Sequence, residues 1–182
     1  MNFKQHSDLE GQHAFLGASK YHWVRYSDEK LKSTYKKHLA KQKGTELHEF
    51  ASRCIELGQK LSTKKTTLNL FVNDSIKHGM TSEQPLYYSP NCFGTADAIS
   101  FHDNILKISD LKTGETPAKF EQLEVYAAIF CLEYGYKPED LDIELRIYQM
   151  NEVKFKQGNP DVINDIMDKI IQFDIQIELM EE

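Results

Sequence analysis

The chain has little of what marks several classes of protein. Its 182 residues include three cysteines, Cys54, Cys92 and Cys131, and these show neither zinc-ligand spacing nor a disulfide framework. No run approaches the ~20 apolar residues of a membrane span, and the first residues are too polar for a signal peptide. Repeats, low-complexity tracts and linkers are missing too. The sequence therefore predicts one globular cytoplasmic domain over residues 1–182, with Cys54 and Cys131 as buried, reduced thiols.

Charge is unevenly distributed along the chain. The net charge is −6, yet residues 20–65 contain twelve Lys and Arg against five Asp and Glu, a local charge of +7 (12 − 5). Residues 139–182 contain four basic residues against twelve acidic ones, a local charge of −8 (4 − 12). The basic stretch predicts contact with a polyanion such as the DNA backbone. A merely solvated helix face is the alternative for these lysines.

Hydrophobic periodicity and turn residues predict the order of elements. Residues 1–20 have no clear period and are predicted to form a loose arm. Helices are predicted at 28–41, 45–61 (with Thr45 as N-cap), 67–77, from Thr116-Pro117 to Gly135, and from Asn159-Pro160 onward. Strands are predicted at 85–88, 96–101, 105–112, 141–150 and 153–156.

This order of elements predicts an α/β fold with a mixed central sheet flanked by helices. The parts are a helical N-terminal segment over about residues 1–80, the sheet and its helix over 85–158, and a C-terminal helix over 159–182. The apolar side of the last helix needs a cover. It packs either on the sheet or on a second copy of the chain, which leaves a homo-oligomer possible.

Two acidic residues flank the predicted turn at His102-Asp103-Asn104. With Phe101 paired to Leu106, the hairpin register sets Asp97 directly opposite Asp110. Like charges opposite each other destabilise a ladder, and buried carboxylates normally pair or bind metal. The pair therefore predicts a divalent cation, and oxygen ligands suit Mg²⁺ or Mn²⁺.

Lys112 and two residues of the following helix extend this pattern. Residues two apart share one strand face, so Lys112 is placed beside Asp110 to orient or deprotonate a water, or to offset transition-state charge. Gln122 and Tyr126, four apart on a helix, share a face and can hydrogen-bond carboxylates or a phosphate. Each piece alone is more often a solvated surface feature. The combination favours metal-dependent cleavage of phosphodiester bonds.

These motifs together resemble the PD-(D/E)XK nuclease superfamily, and within it the RecB-like branch that includes viral exonucleases. Gly94-Thr95-Ala96-Asp97 resembles the family's Gly-x-x-Asp motif, and Asp110-Leu111-Lys112 resembles its Asp/Glu-x-Lys motif. Gln122 and Tyr126 resemble the Gln-x-x-x-Tyr that follows in the family. Upstream, residues 44–49 resemble the segment that carries a metal-binding histidine in RecB-like members, here His48.

The resemblance implies a restriction-endonuclease-like core and a metal-dependent deoxyribonuclease. An exonuclease or end-processing enzyme of recombination, repair or viral DNA metabolism is expected, in the cytoplasm of a bacterium or of a virus's host. Some relatives hold an iron–sulphur cluster on four cysteines, and three cysteines predict none here. The implied catalytic residues are Asp97, Asp110, Lys112, Gln122 and Tyr126, and the implied ligands of Mg²⁺ or Mn²⁺ are His48, Asp97, Asp110 and Leu111, with Glu46 or Glu49 as alternatives to His48.

DNA is the expected partner, and any helicase or annealing protein is expected to be a separate chain. Two rival functions are a nuclease-fold protein that binds DNA or protein without cutting, and a structural or inhibitory protein whose acidic C-terminal third mimics nucleic acid. The intact Asp97, Asp110 and Lys112 count against the first rival. The second predicts no dependence on metal.

Overall fold

A computed structural model describes residues 4–7 and 11–181 of the chain. The chain divides into two compact units, of which the first ends at Thr45 and the second begins at Glu46. Assignment of residues 1–182 to one domain stays a prediction. Within the described residues, no helix combines the length and the apolar character that a membrane crossing requires.

The first unit contains a 3₁₀ helix, Ala18–Arg25, and most of the long helix α1, Asp28–Glu56. The ring of Phe15 lies 5.0 Å from that of Tyr35 and 5.2 Å from that of His38, measured between centroids. The predicted loose arm therefore contacts α1 through Phe15. Residues 1–3 and 8–10 of that arm lie outside the described residues.

Helix α1 is continuous where the sequence predicted two helices, 28–41 and 45–61. Thr45 does not cap a new helix. Its hydroxyl donates to the carbonyl of Lys41 at 3.3 Å, one turn earlier. Gly44 costs the helix about 1 kcal/mol relative to alanine, and the good helix formers around it outweigh that cost. The helix ends at Glu56, before Gly58 with its φ of +62°.

The second unit is built on a five-stranded sheet in the order β1-β2-β3-β4-β5. Neighbouring strands are antiparallel except β3 and β4, which are parallel. The predicted α/β class with a mixed sheet flanked by helices is therefore confirmed. The strands are β1 (Thr81–Ser89), β2 (Cys92–His102), β3 (Ile105–Leu111), β4 (Asp142–Gln149) and β5 (Glu152–Gln157).

Strands β2 and β3 form the predicted hairpin. Phe101 pairs with Leu106 as expected. The turn has two residues, Asp103 and Asn104, whose φ angles are +51° and +61°. Asp and Asn tolerate this left-handed conformation better than other non-glycine residues, and two-residue turns of this type match the twist of the flanking strands.

Helix α2 spans Thr67–Lys77 as predicted, and helix α3 spans Glu121–Tyr134. The predicted start of α3 at Thr116-Pro117 is wrong. The side chain of Gln149 holds this segment instead: it donates to the carbonyls of Gly114 and Thr116 at 2.8 Å and accepts from the N–H of Ala118 at 3.0 Å. The predicted stop is confirmed, since Gly135 caps α3 with a φ of +72°.

Both faces of the sheet are covered by helices. One core joins α3 and the last helix, α4 (Pro160–Glu181), to the sheet, and it includes Leu106, Ile108 and Ile163. The other core joins the end of α1 and α2 to Leu111 and Tyr148. Cys54 and Cys131 are buried free thiols, as predicted.

Candidate active site

The candidate site lies where the β2–β3 ladder ends. Pairing runs as far as Ala98 opposite Ser109, and the same register would next place Asp97 opposite Asp110. The register is therefore the predicted one, but the ladder pairs end one position before the two residues, and a side-chain hydrogen bond joins the strands there. Asp97 Oδ2 accepts a hydrogen bond from the N–H of Leu111 at 2.7 Å. Both carboxylates nevertheless stay at the same end of the hairpin.

Glu83 adds a carboxylate that sequence reasoning missed. The pairs of β1 with β2 on either side of Glu83 place it opposite Asp97. Its φ of +47° lies in a region that residues other than glycine seldom adopt, and such strain tends to occur at functional sites. The predicted strand began at Pro85, which left Glu83 in a presumed loop. A polar residue two positions before a strand proline offers no sequence pattern that would single it out.

His48 reaches the carboxylates from helix α1. Its Nδ1 lies 3.4 Å from Asp97 Oδ1 and 3.9 Å from Glu83 Oε1. One ligand atom from each of the three residues lies within 4.8 Å of the others, a spacing that could hold a metal ion. This group of described residues contains neither Glu46 nor Glu49, the two predicted alternatives.

The electrostatic environment of His48 favours its charged form. The hydrogen bond with Asp97 is the largest cause that raises the pKa of the imidazole above its ordinary value. Burial opposes this increase, whereas the charges of Asp97 and Glu83 and a backbone hydrogen bond with Leu111 add to it. Burial followed by the charge of Asp97 also raises the pKa of Glu83.

Asp110 is buried beside this group and is only half satisfied. The residue is 3% exposed. Its Oδ1 lies 3.0 Å from Lys112 Nζ, whereas its Oδ2 has no hydrogen-bond partner among the described residues. Burial and then the charge of Asp97 raise the pKa of Asp110, and Lys112 opposes the increase. A buried carboxylate oxygen without a partner is costly, so this atom is suited to accept a cation or a donor.

A chain of hydrogen bonds joins Lys112 to the two predicted residues of α3. Its Nζ donates to Gln122 Oε1 at 2.8 Å, and Gln122 Nε2 donates to the hydroxyl of Tyr126 at 3.2 Å. The expectation that Gln122 and Tyr126 share a helix face is therefore confirmed. Gln122 contacts the lysine ammonium, and Tyr126 contacts Gln122, whereas the expected partners were carboxylates or a phosphate. Burial is the main cause that raises the pKa of Tyr126.

Gly94 makes room for this chain of hydrogen bonds. A Cβ atom added there would lie 2.9 Å from Cε1 of Tyr126 and 3.7 Å from its hydroxyl. The tyrosine ring thus packs directly on the backbone of the residue that opens the Gly-x-x-Asp run. The glycine is explained by a contact between β2 and α3, which the sequence motif alone does not reveal.

The structure places His48, Asp97 and Glu83 within metal-ligand spacing of one another. The predicted ligand Asp110 lies outside that group and bonds to Lys112 instead. Leu111 takes part through its backbone, which contacts both Asp97 and His48. No family model matches the chain, and no curated protein or solved structure matches it either. The resemblance to the PD-(D/E)XK superfamily stays a prediction from the motifs.

Proposed function

We propose that the chain is a metal-dependent nuclease that hydrolyses phosphodiester bonds of DNA. Its sheet and flanking helices would correspond to the restriction-endonuclease-like core of the RecB-like branch. The observation that carries the proposal is the half-satisfied Asp110, buried next to Asp97 and bonded to Lys112. A binding module gains nothing from placing these charges together in a buried position, because their desolvation is costly.

The donor set fits a hard divalent cation. His48, Glu83, Asp97 and Asp110 would hold Mg²⁺ or Mn²⁺, and the imidazole shifts preference toward Mn²⁺. The buried Oδ2 of Asp110 is free to bind it. When bound, such an ion polarises a phosphate and lowers the pKa of a coordinated water.

Lys112 supplies the remaining charge for the reaction. Its ammonium lies between a carboxylate and the Gln122 carbonyl, so it is fixed in one orientation. From this position it can orient the attacking water or balance the negative charge that develops on the phosphate oxygens. Gln122 and Tyr126 position the lysine.

The direct test uses end-labelled single-stranded DNA, duplex DNA and closed circles with purified protein. We expect cleavage in Mg²⁺ or Mn²⁺ and none in chelator. Circles that stay intact while linear strands are shortened would assign an exonuclease. If DNA is cleaved neither in Mg²⁺ nor in Mn²⁺, the proposal is refuted. Metal and DNA binding without cleavage would support a non-cutting nuclease-fold module in its place.

Substitution of His48 tests its place among the ligands. His48→Ala should weaken Mn²⁺ binding in calorimetry and lower the rate, with partial recovery at high metal concentration, because one of several ligands is removed. His102→Ala, an exposed histidine beside the β2–β3 turn, is the matched control and should behave as wild type. Equal behaviour of the two variants would make His48 an ordinary helix residue. Glu83→Gln should then be examined as the ligand from β1.

Substitution of Gly94 tests the contact with Tyr126. In Gly94→Ala the new methyl group displaces the ring and so disturbs Gln122 and Lys112. We expect kcat to fall about 10- to 100-fold, the usual range for residues that support a reacting group, with Mn²⁺ affinity nearly unchanged. Gly114→Ala is the control, since a Cβ there meets open space. Equal rates in the two variants would show that the position of Tyr126 does not matter for cleavage.

A further inference from the structure

The first unit contains a cavity whose lining includes none of the metal-site residues. Its volume of about 870 Å³ is enclosed by the segment before α1 and by the first part of that helix. This volume falls within the ~300–1,000 Å³ typical of ligand pockets. The lining residues that can recognise a ligand include Lys20, Trp23, Tyr26, Lys37, His38 and Lys41.

Positive charge dominates the lining. Among the residues that the structure describes, it includes the ammonium groups of Lys20, Lys37 and Lys41 and no Asp or Glu. None of the three lysines forms an ion pair with another described residue. Residues 11–45 carry eight Lys and Arg against two Asp and Glu, a charge of +6 (8 − 2). A cavity of this kind concentrates anionic ligands.

Aromatic rings lie among these lysines. Trp23 and Tyr26 are half-buried, so part of each ring is still accessible. The indole N–H of Trp23 already donates to the carbonyl of Gly17 at 3.1 Å, which leaves the face of the ring for a ligand. Aromatic faces combined with ammonium groups are the chemistry of single-strand binding, because bases stack on the rings while phosphates bind the lysines.

We propose that this cavity binds one or two nucleotides of a single DNA strand. Bases stack on Trp23 and Tyr26, and phosphates bind Lys37 and Lys41, which are four residues apart on one face of α1. The identity of the strand rests on the nuclease function proposed above. The site goes beyond that function, since it retains the strand without metal and without any of the residues that act on the scissile bond.

Tryptophan fluorescence tests this proposal directly, because Trp23 is the single tryptophan of the chain. Full-length protein in chelator is titrated with oligothymidylate. We expect saturable quenching and an affinity that falls with salt. Lys37→Gln combined with Lys41→Gln should weaken binding about tenfold at low salt. The slope of log K against log salt should become smaller by about 1.4, at about 0.7 for each phosphate that the protein no longer neutralises.

The matched control is Lys32→Gln combined with Lys36→Gln. These two lysines have the same spacing on the same helix, and the change in net charge is the same, but neither lines the cavity. The control should bind as wild type does. Equal effects of the two double variants, or no quenching by the strand, would overturn the proposal. If thymidine monophosphate binds as tightly as the strand, the ligand of the cavity is a free nucleotide, and the proposal of a DNA strand is wrong.

The experiments can refute the cavity proposal and the nuclease proposal independently of each other. Cleavage of DNA in Mg²⁺ without any change in Trp23 fluorescence would overturn the cavity proposal and leave the nuclease function standing. Quenching that depends on Lys37 and Lys41, in a protein that cuts no DNA with either metal, would support the cavity and refute the nuclease function.

Discussion

Asp110→Asn should abolish DNA cleavage and leave the metal-free fold at least as stable as that of the wild type. We expect the rate to fall on the order of a thousandfold, the upper range for loss of one electrostatic contact in a transition state. The amide keeps the shape of the side chain and removes a charge that burial disfavours. Cleavage assays and denaturant unfolding in chelator measure the two effects.

The stability effect of this variant has a defined pH dependence. Burial raises the pKa of Asp110 in the folded protein above its ordinary value of 3.8. Ionisation therefore destabilises the fold, and the penalty develops as pH rises from the ordinary pKa through the raised one. The advantage of Asp110→Asn should be absent below the ordinary pKa and complete above the raised pKa.

With bound metal, the wild type should become more stable than Asp110→Asn. At a concentration 100 times its Kd, a metal that binds only the folded state stabilises it by about 2.7 kcal/mol. We expect this gain for the wild type and a clearly smaller one for Asp110→Asn. Asp103→Asn, in the β2–β3 turn, should cleave DNA normally and gain as much from metal as the wild type. A fully active Asp110→Asn variant would refute the site.

Asp97→Ala should differ from Asp110→Asn in one respect. Both variants lose cleavage, but the removal of Asp97 also leaves the N–H of Leu111 without its 2.7 Å acceptor. A buried donor without a partner costs about 1–3 kcal/mol, so Asp97→Ala should be destabilised in chelator. The contrast separates the catalytic from the structural contribution of the two carboxylates.

Lys112→Ala is expected to have the second largest effect. The rate should fall about 10²- to 10⁴-fold, the range for one general acid or base, while Mn²⁺ still binds near neutral pH. Because Lys112 lowers the pKa of Asp110, its removal should raise that pKa further. Metal affinity should therefore decline at a higher pH than in the wild type, which calorimetry across a pH series can measure.

Lys119→Ala is the control for this variant, since Lys119 is exposed on the segment that leads into α3. It should match the wild type in rate and in the pH dependence of metal binding. Equal loss of metal binding and of rate in Lys112→Ala at every pH would show that the lysine only supports the structure.

The β2–β3 hairpin could be predicted because its determinants are local. A polar two-residue turn between apolar runs defines the register, and the register brings Asp97 and Asp110 to one end of the ladder. Helix α2 and the Gly135 cap were likewise encoded by nearby residues. The chemistry of the candidate site was thus visible in the sequence to the extent that it depends on one hairpin and one helix.

What the sequence did not reveal depends on contacts between distant segments. Glu83 joins the site through pairing of β1 with β2 and a strained backbone, neither of which has a local pattern. The start of α3 moves to Glu121 because the side chain of Gln149, 33 residues after Thr116, bonds the segment where a helix was expected. Position 94 requires glycine because the ring of Tyr126, on helix α3, leaves no space for a Cβ atom. Periodicity carries no information about such contacts.

In the proposed metalloenzyme, a proton and a metal ion would compete for the space between His48 and Asp97. In metal-free protein a proton on the imidazole takes the place that a cation would take between nitrogen and carboxylate. Because the pKa of His48 is raised, this proton stabilises the fold fully below the ordinary value of 6.5 and is lost as pH rises through the raised value. Mild acid should therefore unload the metal and leave the protein folded, and a return to alkaline buffer should reload it with release of protons.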